Sequence, residues 1–139
     1  MRIIVPFAAG SFTETAARAI ALELSTDLGQ PVIVESRGGA GSTLGTDMVS
    51  KAAPDGYTLL VTDNSFAISA ALYDKLPYDP AKDIVKISSV AESPAVLMVR
   101  QDLPARNLKE LVDFARQQPR KLTFAAPRGA AVCSRRSMA

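Results

Sequence analysis

The chain has 139 residues, of which 47% are hydrophobic and 22% charged, with a formal net charge of +2. That is ordinary for one globular domain with one core, and no apolar run approaches the length of a membrane span. The adjacent basic residues Arg120-Lys121 and Arg135-Arg136 are too few for a nucleic-acid footprint. With no histidine and a single cysteine, Cys133, the chain excludes a Ser-His-Asp triad, a His-based metal site and an internal disulfide.

The first element predicted is a strand over residues 2–6, because Ile3, Ile4 and Val5 form a β-branched run. Pro6 ends it, having no N–H to give to a ladder. Ala8, Ala9 and Gly10 carry almost no side chain, so a ligand can approach their backbone closely. Ser11 and Glu14 match a capping box, which predicts a helix from about Thr13 to Asp27. Two readings stand side by side. The free N–H groups near Gly10 and Ser11 take an anion, or Glu14 closes a plain strand-to-helix turn with its own carboxylate. On the helix, Ala16, Ala17, Ile20, Ala21, Leu24 and Leu28 share one face, and Gly29 is the expected C-cap. Residues 31–35 predict a second strand, and strand-helix-strand at this length implies a parallel βαβ unit.

A glycine-rich loop, Arg37 to Gly45, leads into a second helix with Met48, Val49 and Ala52 expected inward. Gly39 and Gly41 give G-x-G, but Leu44 stands where a dinucleotide fingerprint needs glycine, and no phosphate-loop motif occurs. Residues 57–62 predict a third strand that ends in Asp63-Asn64-Ser65-Phe66. Small polar groups at the carboxyl end of a parallel strand lie where α/β sheets bind ligands. Asn64 and Ser65 either donate to a bound carboxylate or cap a short helix from Phe66 to Tyr73. Two prolines make Leu72 to Pro80 an extended surface segment. The apolar runs 87–90 and 95–99 read as two further strands or one broken strand. Asn107 to Glu110 is a second capping box before an amphipathic helix bearing Leu108, Leu111, Val112 and Ala115. Residues 122–125 read as another strand, and 128–139, without a regular apolar period, as a poorly ordered tail.

Several of these stretches together resemble the substrate-binding proteins of tripartite tricarboxylate transporters, the Bug family of periplasmic solute-binding proteins. They are Val5-Pro6-Phe7 with Gly10, Gly39-Ala40-Gly41 with Gly45, and above all Ala52 to Leu59. Leu72-Tyr73, Leu76 to Pro80, Lys82-Asp83, Leu103-Pro104, Leu108 to Leu111 and Pro119 with Lys121-Leu122 extend the match as far as about Pro127. The resemblance implies an α/β fold of the type II periplasmic-binding-protein class, with a parallel-rich sheet flanked by helices. It divides the chain into most of lobe one (1–99), the start of lobe two (100–127) and an atypical tail (128–139).

It further implies a binding protein rather than an enzyme, with no cofactor and no metal. Small carboxylates or amino acids would be its ligands, membrane transporter subunits its partners and the periplasm its compartment, although no signal peptide is expected in this chain. Phe7, Ala8, Ala9, Gly10 and Ser11, together with Asp63, Asn64, Ser65, Phe66 and Ala67, would line the cleft. The chain departs from the family pattern at Phe12, which is bulky where small residues are usual, at Glu14 in place of Asp, and after Ala126. The last departure implies a truncated member. The alternatives are a remnant that binds nothing and associates through exposed core, and a fragment of a small α/β nucleotide-binding enzyme.

Overall fold

The structure, a computed structural model, describes residues 1–94, 96–118 and 122. The described residues fall into two compact units, one formed by Met1–Ala91 and the other beginning at Glu92.

The first unit is built on a three-stranded parallel sheet. Its strands are β1 (Arg2–Val5), β2 (Ile33–Ser36) and β3 (Thr58–Leu60), in the order β2-β1-β3. Arg2 pairs with Ile33 on one side and with Thr58 on the other. The three expected strands are therefore present and parallel. Pro6 ends β1 at Val5, and β2 starts after Pro31, because neither proline can donate to the ladder; β3 is shorter than the expected 57–62.

Helices α1 (Phe12–Leu28) and α2 (Thr43–Ser50) connect the strands, as parallel pairing requires. Side chains alternate between the faces of a strand, and the two helices use the two faces of β1. Ile3 and Val5 form the buried core with Ala17 and Ala21 of α1, and Phe7, Leu24, Val32, Val34, Leu59 and Val61 pack around it. Pro6 and Gly45 of α2 meet on the other face. A Cβ at Gly45 would lie 2.8 Å from the Pro6 Cβ and 2.9 Å from the Arg37 carbonyl oxygen. Two details of the sequence reading change. Leu28 is exposed, because α1 runs past the edge of the core. On α2 the inward residues are Gly45 and Thr46, while Met48 is exposed. Contact with Pro6 leaves room only for the smallest side chain.

Helix α3 (Ser65–Leu72) follows β3. Its Phe66 ring stacks on Tyr78, with centroids 6.3 Å apart and planes at 10°. Tyr78 is buried, so the segment expected to be wholly on the surface contributes a core residue. Beyond it, residues 87–90 have no strand pairing, and Ile87 and Val90 are exposed.

In the second unit, helix α4 (Leu108–Gln117) starts at the Asn107 cap, whose side chain accepts from Glu110 N at 2.9 Å. Glu110 in turn accepts from Arg106 N at 2.7 Å. Leu111, Phe114 and Ala115 are half-buried, whereas Leu108 and Val112 of the expected apolar face are exposed. Residues 96–99 form no strand here and are exposed. A β-branched or apolar run becomes a strand only where another strand offers its free N–H and C=O groups. The run 122–125, apart from Leu122, and the segment 128–139 lie outside the described residues.

Candidate functional site

The parallel sheet sends three loops out of one end. Those after β1 and β3 leave neighbouring strands, tied by a hydrogen bond from Val61 N to the Ile4 carbonyl at 3.1 Å. The loop after β2 lies on the other side of β1, where Arg37 N donates to the Val5 carbonyl at 2.7 Å. It packs against the first loop through Gly38, where a Cβ would sit 3.0 Å from Phe7 C and 3.1 Å from Ala8 N. It also reaches α3. The Ser65 hydroxyl donates to the Ser42 hydroxyl at 3.1 Å, and both residues are buried. Three connections thus converge at the carboxyl ends of the strands, the usual ligand position in an open α/β sheet.

The loop after β1 has two different edges. Its Gly10 edge is occupied from within. Glu14, 5% exposed, accepts the Gly10 N–H with Oε2 at 2.5 Å. Its Oε1 accepts from Arg18 Nη2 at 2.6 Å and Arg18 Nε at 3.1 Å. The Gly10 N–H, then the Arg18 guanidinium, hold the Glu14 carboxyl below its ordinary value of 4.5 against a smaller opposing effect of burial. The Ser11 hydroxyl accepts from Glu14 N at 3.2 Å, and Ser11 N donates to the Ala8 carbonyl at 3.3 Å. The two N–H groups that the sequence points to as anion donors, those of Gly10 and Ser11, are therefore already used. A capping glutamate seeks the free donors at a helix start, and this one reaches one residue beyond the cap. The other edge differs: Ala8 and Ala9 are exposed, and among the described residues their N–H groups have no partner.

The residues after β3 divide in the same way. Asp63 caps α3, accepting Ser65 N with its carboxylate at 2.8 Å and Phe66 N with its carbonyl at 3.1 Å. Asn64 is exposed, and its amide makes no hydrogen bond among the described residues. Ser65 is spent on Ser42, Phe66 on Tyr78, and Ala67 is exposed without a polar group. Phe7 is half-buried against the core, so its contribution to the loop is its backbone.

Two structural residues escaped the sequence reading. Ser42 sits at φ +77°, with Ala40 at +49°, so two non-glycine residues flank Gly41 in the left-handed region. Gly41 itself leaves space that the Tyr73 hydroxyl fills, 2.9 Å from where a Cβ would be. The glycines had signalled an unusual backbone, but not which serine it would bury. They are used for close packing within the protein, which removes the motive for a nucleotide loop.

The described residues contain no cluster of acidic or thiol side chains suited to a metal ion, and no helix long and apolar enough to cross a membrane.

Known proteins share this arrangement. The protein BugT of Bordetella pertussis is 39% identical over 127 residues, 90% of this chain and 39% of its own. The structure of R. palustris Rpa4515 with adipate superposes with a TM-score of 0.82 at 32% identity, over 91% of this chain and 42% of that one. MatC from Rhodopseudomonas palustris with bound malate gives 0.73 at 37% identity, over 84% and 40%. The chain thus spans about two fifths of the length of these proteins. Its α/β fold, with a parallel sheet flanked by helices, is that of periplasmic binding proteins of the Bug type, in part. The pattern of the tripartite tricarboxylate transporter family receptor, TctC, matches residues 16–137, and the chain belongs to that family.

Proposed function

We propose that this chain carries the first half of a carboxylate cleft in a solute-binding receptor, a non-enzymatic protein that hands a small dicarboxylate to transporter subunits in the membrane. The observation that carries the reading is the convergence of the β1 and β3 loops at one end of the sheet, where, among the described residues, the N–H groups of Ala8 and Ala9 and the side-chain amide of Asn64 have no hydrogen-bond partner. The adipate and malate bound by two structural relatives motivate the substrate class. The periplasm is the corresponding compartment, and the boundary between the cleft's two lobes falls near residue 99.

Neither loop, 6–11 or 61–65, contains a lysine or arginine, so neutral donors must hold the anion. Each contributes about 0.5–1.5 kcal/mol net, so two or three do not comfortably offset the roughly 4 kcal/mol or more lost on association. The loops alone therefore give dissociation constants of about 1 mM or weaker. Closure of further chain over the ligand, excluding water, supplies the rest. The test is calorimetric titration with malate and adipate of two proteins: the 139-residue chain, and a chimera joining residues 1–127 to the remaining part of MatC. The chimera binds at micromolar concentration, the chain alone does not, and Asn64→Ala weakens the chimera. A folded chimera that binds neither acid would sink the reading.

A further inference from the structure

We propose that Glu14 is a built-in carboxylate that reserves the Gly10 edge of the β1 loop for itself and so directs a solute's carboxylate to the N–H groups of Ala8 and Ala9. The proposal rests on reading residues 6–11 as a carboxylate site and names which part of that loop the solute uses.

The geometry separates the two edges. Glu14 is almost wholly buried, yet both of its oxygens are engaged, one by the Gly10 N–H and the other by the two Arg18 donors. A carboxylate in the first turn also meets the positive end of the helix dipole. A second carboxylate arriving at Gly10 would have to displace this arrangement and sit against a like charge. Among the described residues, no hydrogen bond engages the N–H groups of Ala8 and Ala9. Both residues are exposed, and Gly38, packed against the Phe7–Ala8 peptide, has no Cβ to crowd the Ala8 nitrogen. Glu14 thus acts as a positioning residue, through Gly10, and does not touch the solute.

Amide spectra of the ¹⁵N-labelled 139-residue chain test this. As the pH is lowered, the Gly10 amide should follow the Glu14 carboxyl, with a midpoint below the ordinary 4.5, and lose that response in Glu14→Ala. Among charged side chains of the described residues, Arg18 is the one that acts on this carboxyl. In the chimera of residues 1–127 with MatC, labelled in the same way, malate or adipate at neutral pH should shift Ala8 and Ala9 while Gly10 stays still. In Glu14→Ala, Gly10 should join them, and in Glu14→Gln, which keeps an acceptor for Gly10, it should again stay still. A Gly10 shift alongside Ala8 and Ala9 in the wild type overturns the proposal alone, and that arm stands even if Glu14→Ala fails to fold. A chimera that binds malate or adipate by calorimetry while every amide from Phe7 to Ser11 stays silent overturns the proposal alone, and a folded chimera that binds neither acid overturns the carboxylate reading and the proposal with it.

Discussion

Glu14 carries a negative charge that the fold has almost removed from water, and its pKa records how well the charge is held. The Gly10 N–H and Arg18 lower it, so the folded value lies below the unfolded one. The stabilisation from its ionisation is complete above the unfolded value of about 4.5 and is lost as the pH falls through the lower folded value. Urea midpoints of the wild type and Glu14→Gln should therefore differ at neutral pH and converge as the pH falls below the ordinary carboxyl value of 4.5. A constant difference across that range would show that the side chain acts by packing alone. Gly45 makes the opposite kind of demand, for the absence of atoms. In Gly45→Ala, the new methyl would meet Pro6 and the Arg37 carbonyl at under 3 Å. Part of this contact is backbone and cannot swing away, so a loss of about 1–3 kcal/mol is expected, read as a lower urea midpoint at unchanged slope.

Elements were legible where local preference and partner agree. Ile3-Ile4-Val5, bounded by Pro6, is a strand by composition, and β2 and β3 are present to receive it. Ser11 with Glu14 and Asn107 with Glu110 announced both capped helices, and the caps formed as hydrogen bonds. The inner face of α2 was not legible, because hydropathy favours Met48 and Val49 while the short distance to Pro6 selects Gly45 and Thr46. Residues 87–90, bounded by Ile87 and Val90, and the apolar run 96–99 read as strands but have no pairing partner among the described residues, and composition says nothing of partners. At the site, the loops were found from strand ends and small residues. Their free and occupied donors could not be told apart, because a capping glutamate reads the same in sequence whether it bonds the cap or, as here, Gly10.

On the scale of the whole molecule, the unpaired runs have a cost. Val85 and Ile87 are more than four-fifths exposed, as is Met98, and Val96 and Leu97 are about 70% exposed. Exposed apolar side chains within each of these stretches promote association. Sedimentation of the 139-residue chain should show self-association that grows with concentration and weakens in Leu97→Asp/Met98→Asp. A clean monomer throughout would mean that these side chains find cover in solution. The sheet order has another consequence. β1 is the middle strand, yet both of its partners follow it in the chain, Ile33 and Thr58 facing Arg2. Of these three strands the central one is thus synthesised before both of its partners. At about 5–20 residues per second, a ribosome takes several seconds to travel from β1 to β3. Throughout that interval Ile3, Ile4 and Val5, almost wholly buried in the finished fold, have at least one edge open to any strand that comes by. Order of assembly, as much as final stability, makes this stretch the one a nascent chain must keep from its neighbours.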